Sequence, residues 1–426
     1  MEIRRTHIRA LAFAATIVVA AGALAGCSGS NSSSSDKTAA LTLMTYYDTP
    51  TMAPLKKLLA TFTKQTGIKV NVDDLPGSGA AIYPGKLKTE LVGGKGPDVW
   101  QMWGGSIGGP FATNGFAADL SKYYSQYGWD KKIPASAVNG MKWNGKPYGL
   151  PLTAVTVTAW YSKAAFQKAG ITAPPTSYAE LTSDNAKLVA SGQVPVGLGG
   201  EYGWDVMRLF EYLLEKDAGP TLHDKLLAGT ASWNNPAVVQ AFTELRDWAT
   251  KGWLPQGVMG LDPAVTEPGF TQGKYAYTIA GAWVTSEIQK ASDPSQYGTF
   301  ALPTDRTPNR HSGWVEGFMM NAASKNQAGS AKLLNFLSEA STQKAIGNTS
   351  STVKGAGPSA QTNPLSVENA KIGASAPFYT IQDQALSAED ANGYFTIQSQ
   401  VVQGAITPTA AAAQMQQVMV KGKSGN

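Results

Sequence analysis

"LTLMTYYDTPTMAPLKKLLATFTKQTGIKVNVDDL", Leu41 to Leu75, is the stretch whose reading decides the fold class. LTLMTY, Leu41 to Tyr46, has the length and apolar character of one buried strand. After Asp48 and Pro50, residues Leu55, Leu58, Leu59 and Phe62 recur at the spacings of one helical face, and Gly67 stands where that helix would stop. IKVNVDDL, Ile68 to Leu75, then alternates with a period of two. A second helix carrying Leu87 and Leu91 leads to PDVWQMW, Pro97 to Trp103, a third strand. Strand, helix, strand, helix, strand builds a parallel sheet covered by helices. Such sheets collect ligands at the carboxyl ends of their strands, here the loops after Tyr46 and Met102.

Upstream lies a leader. Arg4, Arg5 and Arg9 precede an apolar run from Leu11 to Leu24, too short for a membrane span of about 20 residues, which is the pattern of a secretion signal. The junction LAGC, Leu24 to Cys27, resembles the lipobox of bacterial lipoproteins, in which cleavage leaves a lipid-bearing N-terminal cysteine. Cys27 is the sole cysteine of the chain, so the fold has no internal disulfide. Ser28 to Lys37 is too polar to pack and would span roughly 15–20 Å as a flexible coil. Residues 1–26 read as a signal peptide and 27–39 as a tether, holding the body at the outer face of the cell membrane.

Composition narrows what that body does. Removing residues 1–26, with three Arg and one Glu, takes the formal charge from +5 to +3, and the remaining Lys and Arg are scattered. Nucleic acid, which needs a concentrated basic patch, is not an expected partner. Close to 400 remaining residues exceed one core and call for two lobes.

Three look-alike motifs carry less than they promise. GGSIG, Gly104 to Gly108, matches the nucleophile elbow G-x-S-x-G after a strand and makes a secreted serine hydrolase built on Ser106 the rival from another function class. An elbow runs straight into a long helix, whereas Gly109-Pro110 interrupts this one, and only His223 and His311 lie downstream to serve as its base. GAAIYPGKL, Gly79 to Leu87, has one residue too many for a P-loop and lacks its Ser or Thr. Without a second cysteine or an H-E-x-x-H, no metal or cofactor is implied.

NGKPYGLPLTAVTVTAWYSKAAFQKAGITAPPTSYAEL, Asn144 to Leu181, reads as a turn, an extended run from Tyr148 to Tyr161, a short amphipathic helix and a Pro-Pro corner. Together with GKGPDVW (94–100), FATNGFAADL (111–120), FTQGKYAYTIAGAWV (270–284) and NAASKNQAGSAKLLNFL (321–337), it resembles the extracellular solute-binding proteins of sugar ABC importers, the maltose-binding-protein-like group. The likeness rests on the order and spacing of these pieces over most of the chain. Tyr277 departs from it, standing where the family has methionine. The resemblance implies an α/β fold of two lobes (type II periplasmic binding protein), each a mostly parallel sheet flanked by helices, with a ligand cleft between them. It implies chain crossings near 150–155, 277–281 and 317–321, lobe one at 40–150 and 281–317, and lobe two at 151–280 and 318–426. It also implies a monomeric receptor, not an enzyme, that hands a carbohydrate to membrane permease subunits.

A sugar offers an apolar face of C–H groups to an aromatic ring and a rim of hydroxyls to polar side chains. Segments that pair the two and fall at the family's cleft positions supply Tyr47, Asp48, Gln101, Trp103, Ser106, Glu201, Trp204, Asp205, Trp283, Trp314 and Glu316, with Thr153 near the first crossing. Asp205 or Glu201 has the alternative role of capping the helix that begins there. Trp100, Trp160 and Trp248 belong by periodicity to cores, and His223 and His311 read as ordinary polar residues. These segments contain no Arg or Lys for a phosphate ester and few convergent carboxylates for a polyamine. A neutral mono- or oligosaccharide is therefore the expected ligand, a non-sugar solute in the same fold its alternative.

Overall fold

The computed structural model describes residues 39–47, 49–75, 79–357 and 363–424. The leader, Cys27, nearly all of the tether and Asp48 lie outside the described residues. The strands are β1 (Leu41–Thr45), β2 (Val70–Asp74), β3 (Val99–Trp103), β4 (Gly149–Thr156), β5 (Thr158–Ser162), β6 (Val194–Gly197), β7 (Tyr275–Ala280), β8 (Tyr297–Phe300), β9 (Ser312–Met320) and β10 (Tyr379–Thr380). A two-stranded hairpin, 142–147, turns at Asn144-Gly145, where both residues have positive φ.

The opening alternation folds as its pattern predicts. β1 pairs in parallel with β2 and β3, and helices Thr49–Thr66 and Gly79–Val92 make the connections. Leu55, Leu59 and Phe62 are buried on the inner face of the first helix, and Gly67, at φ +75°, lies just beyond its end. The long strand β9 then enters antiparallel between β3 and β4, with β10 beside its first two residues. The second sheet runs β8-β5-β7-β6, with only β6 and β7 parallel.

Each sheet has its own core. The first gathers Leu41, Leu43, Trp100 and Met102 with Phe318, Met320 and Leu334. The second gathers Ala159, Val196, Phe210, Trp248, Tyr277 and Phe300 with residues of the last two helices, Tyr394 and Met415 among them. Trp100, Trp160 and Trp248 are fully buried, as periodicity predicts.

The crossings differ from the motif-based placement. β4 stays on the first sheet to Thr156 and the chain passes through Val157 into β5, close to the expected site. The second crossing falls between β8 and β9, not at 277–281, because β7 is an interior strand of the second sheet. Residues 317–321 do not cross either, since β9 remains in the first sheet and the chain packs on that core to Ala356. Segment 284–302 therefore belongs with lobe two and 318–356 with lobe one, the reverse of the expected division. Both strands are apolar almost throughout, and burial on two faces leaves no sequence signal for which sheet a strand joins.

Candidate functional site

Trp103 closes β3 at the carboxyl edge of the first sheet and stacks on Tyr46, which follows β1 (centroids 4.2 Å apart, planes 13°). Strand register sets Trp103, Glu316 and Thr153 side by side across β3, β9 and β4. The Tyr46 hydroxyl donates to Glu316 Oε2 at 3.0 Å. Beneath them, Tyr83 donates to the carbonyls of Met44 and Gln101 and meets both rings edge-on. Burial pushes the Glu316 carboxyl above its ordinary range against the pull of the Tyr46 and Trp314 donors beside it.

Two residues back along β9 and on the same face, Trp314 continues this surface toward the second core. Its buried indole N–H pulls on the Glu316 carboxyl without reaching good hydrogen-bond geometry to any partner. The ring lies 5.9 Å from Trp283, whose own N–H donates to Glu267 Oε1 at 2.9 Å. Helix Trp204–Leu227 supplies the rest. Trp204 and Arg208 stand one turn apart on one face, and the Arg208 guanidinium lies 4.7 Å from the Trp204 ring centre and 5.0 Å from that of Trp283. Asp205 grips it at 2.5 Å while accepting the Gly199 backbone N–H.

Carboxylates crowd this guanidinium. Burial, reinforced by the Asp205 charge, raises Glu267 to about 7, and burial raises Asp383 to about 6 against the attraction of Arg208. Asp205 is also raised, by burial. A run of Tyr46, Trp103, Glu316, Trp314, Trp283, Arg208 and Trp204 thus leads from one sheet to the other, apolar rings alternating with polar groups.

Of the residues singled out in the sequence, Trp103, Glu316, Trp314, Trp283 and Trp204 share this surface. Gln101 does not: it is 1% exposed, and its Oε1 holds the Tyr46 backbone N–H. Tyr47 turns toward Phe318 and the first core. The Thr153 hydroxyl accepts from Asn348, and Asp205 is spent on Arg208 and Gly199. Glu201 is solvent-exposed in the turn before the Trp204 helix.

Ser106 donates to the Asp383 carbonyl at 2.5 Å, and no imidazole is hydrogen-bonded to it among the described residues. His223 is engaged with Glu215 and Gln382. The glycines of GGSIG serve approach: Gly105 has φ +59°, and a Cβ there would overlap the Gln384 carbonyl.

Arg208, Glu267, Asp383 and Tyr46 were not foreseen. Arg208 corrects the expectation that the site holds no Arg, yet its ion pair with Asp205 leaves no free cation for a phosphate. The W-D-x-x-R spacing from Trp204 to Arg208 was the available signal. Among the described residues, no group of acidic or histidine side chains is arranged to hold a metal.

Two α/β halves with aromatic and polar side chains presented between them define a solute receptor. The chain belongs to the family of bacterial extracellular solute-binding proteins, whose model matches residues 48–344. A putative binding protein of Brucella abortus is 26% identical over 277 residues, 64% of each chain, so the chain spans under two thirds of that relative. A probable sugar-binding periplasmic protein of Mesorhizobium japonicum is 26% identical over 223 residues, 51% of this chain and 52% of its own. Among solved structures, a chitin oligosaccharide binding protein superposes with TM-score 0.80 at 24% identity, over 91% of this chain and all of that one. The GacH receptor of Streptomyces glaucescens gives 0.72 at 20%, over 90% and 98%.

Proposed function

We propose that this protein captures a carbohydrate between its two sheets and delivers it to the permease of an ABC importer, held at the outer membrane face by lipid on Cys27. The observation that carries this reading is the Trp103–Glu316–Trp314–Trp283–Arg208–Trp204 surface. Indole faces match the C–H faces of pyranose rings, and the Trp314 N–H and the Glu316, Glu267 and Asp383 carboxyls match hydroxyls. Sugar binding among relatives and fold neighbours, named for chitin oligosaccharide and acarbose among others, supports the class.

Binding needs no covalent step, and the Ser106 hydroxyl is engaged with the Asp383 carbonyl. Closure on the sugar gives the permease a distinct surface to recognise, through differential affinity for the closed form. The test is equilibrium titration against a saccharide panel, with recovery of the bound sugar. Trp283→Ala and Trp314→Ala should each weaken binding at least tenfold, and the sugar should return chemically unchanged. Turnover abolished by Ser106→Ala would overturn the reading in favour of a hydrolase.

A further inference from the structure

Arg208 is the one cation in the run of side chains from Tyr46 to Trp204, and its charge is already paired. The indoles of Trp204 and Trp283 lie against the guanidinium, and Asp205 is its one ion-pair partner among the described residues. Two more carboxyls stand around it without a cation of their own. Glu267, on helix Pro263–Thr271, accepts the Trp283 indole N–H at 2.9 Å, and Asp383, in the short helix Gln382–Ala385, is steadied by the backbone N–H of Gln384. Both residues are only half-buried, so water reaches the site they line.

The groups facing this pair are mostly acidic. Asp205 approaches Glu267 from helix Trp204–Leu227, and Glu287 faces it from helix Thr285–Ile288, with its own charge taken by Lys290 at 2.6 Å. Asp383 meets Arg208 and the fully buried Glu211 of helix Trp204–Leu227, and Tyr394 of helix Ala388–Gln403. His223, on the helix of Glu211, is engaged by Glu215 and Gln382 instead. One guanidinium thus serves Asp205, Glu267 and Asp383. The last two lean toward the protonated form, Glu267 at about 7 and Asp383 at about 6.

A neutral sugar laid over this pair displaces the water that keeps a carboxylate ionised and brings no positive charge in its place. A protonated carboxyl loses less, and it both donates to and accepts from a sugar hydroxyl. Resting on the carbohydrate reading, we propose that capture takes up a proton at the Glu267–Asp383 pair, chiefly on Glu267, so that the protein holds its sugar more tightly in an acidic medium than in an alkaline one. Because the loaded form then binds more protons than the empty one, affinity is highest in mild acid and falls as pH rises through 7.

The experiment is calorimetric titration of the full chain with glucose, maltotriose, xylotriose and triacetylchitotriose, each in HEPES and in Tris at pH 7.5, two buffers whose different ionisation heats reveal protons taken up or released. The sugar that binds should take up about half a proton at pH 7.5 and bind about fivefold more weakly at pH 8.5 than at pH 6.5. Glu267→Gln, which keeps the shape of the protonated carboxyl, should remove most of the uptake and level the pH profile, and Asp383→Asn should remove the smaller remainder. The wild-type heats decide the coupling even where a variant does not fold. Equal heats of wild type in the two buffers, or protons released, overturn the coupling but leave sugar capture standing. Uptake undiminished in both variants overturns it too. Binding of no saccharide overturns both readings.

Discussion

Arg208 is the residue on which the candidate site turns. Two indoles stack against its guanidinium, Asp205 pairs with it, and Glu267 and Asp383 feel its charge. Glu267 gives a measurable consequence. Its carboxyl is raised from 4.5 to about 7, so its contribution to stability is full below pH 4.5 and is lost as pH rises through 7. Glu267→Gln cannot ionise. The stability of this variant relative to wild type, from urea unfolding, should therefore increase between pH 4.5 and 7.5, by at most about 3 kcal/mol. A difference flat with pH would contradict the assignment. At this scale the sequence was half legible. Trp283 and Trp314 stood out because their segments fall at the family's cleft positions, whereas Arg208 sits inside a long helix, where an Arg ordinarily reads as solvated surface. Glu267 and Asp383 drew no attention because the partners that give them meaning are far away in sequence.

Among the elements, β9 does most to join the two halves of the site. It carries Trp314 and Glu316 and is bonded on both edges, with a register irregularity between Glu316 and Gly317. Gly317 permits that close pairing, since a Cβ there would overlap the Leu150 carbonyl oxygen. Gly317→Ala should cost about 1–3 kcal/mol in denaturant unfolding, the range for overpacking, and weaken sugar binding by shifting Glu316. Wild-type stability and affinity in this variant would show that the pairing tolerates a side chain. The β1 to β3 alternation could be read directly because each helix has its own periodic face and its own stop. For β7 and β9 no such reading was possible: continuous apolar strands pair by tertiary contact, and motif order alone put the crossings at the wrong strands.

For the whole molecule, two separately cored halves joined by single passages of chain suit hinge closure around a ligand. Ser106, on the first half, already meets the Asp383 segment, which stands beside Arg208 on the second. Capture rather than catalysis predicts that the ligand stabilises the folded state by mass action. The most direct measurement is the thermal unfolding midpoint of the protein against neutral mono- and oligosaccharides, with spermidine and glycerol phosphate as charged controls. At a hundred times its dissociation constant, the bound sugar should add about 2.7 kcal/mol and raise the midpoint, and the charged solutes should leave it unmoved. A midpoint indifferent to every saccharide but raised by spermidine or glycerol phosphate would contradict the account.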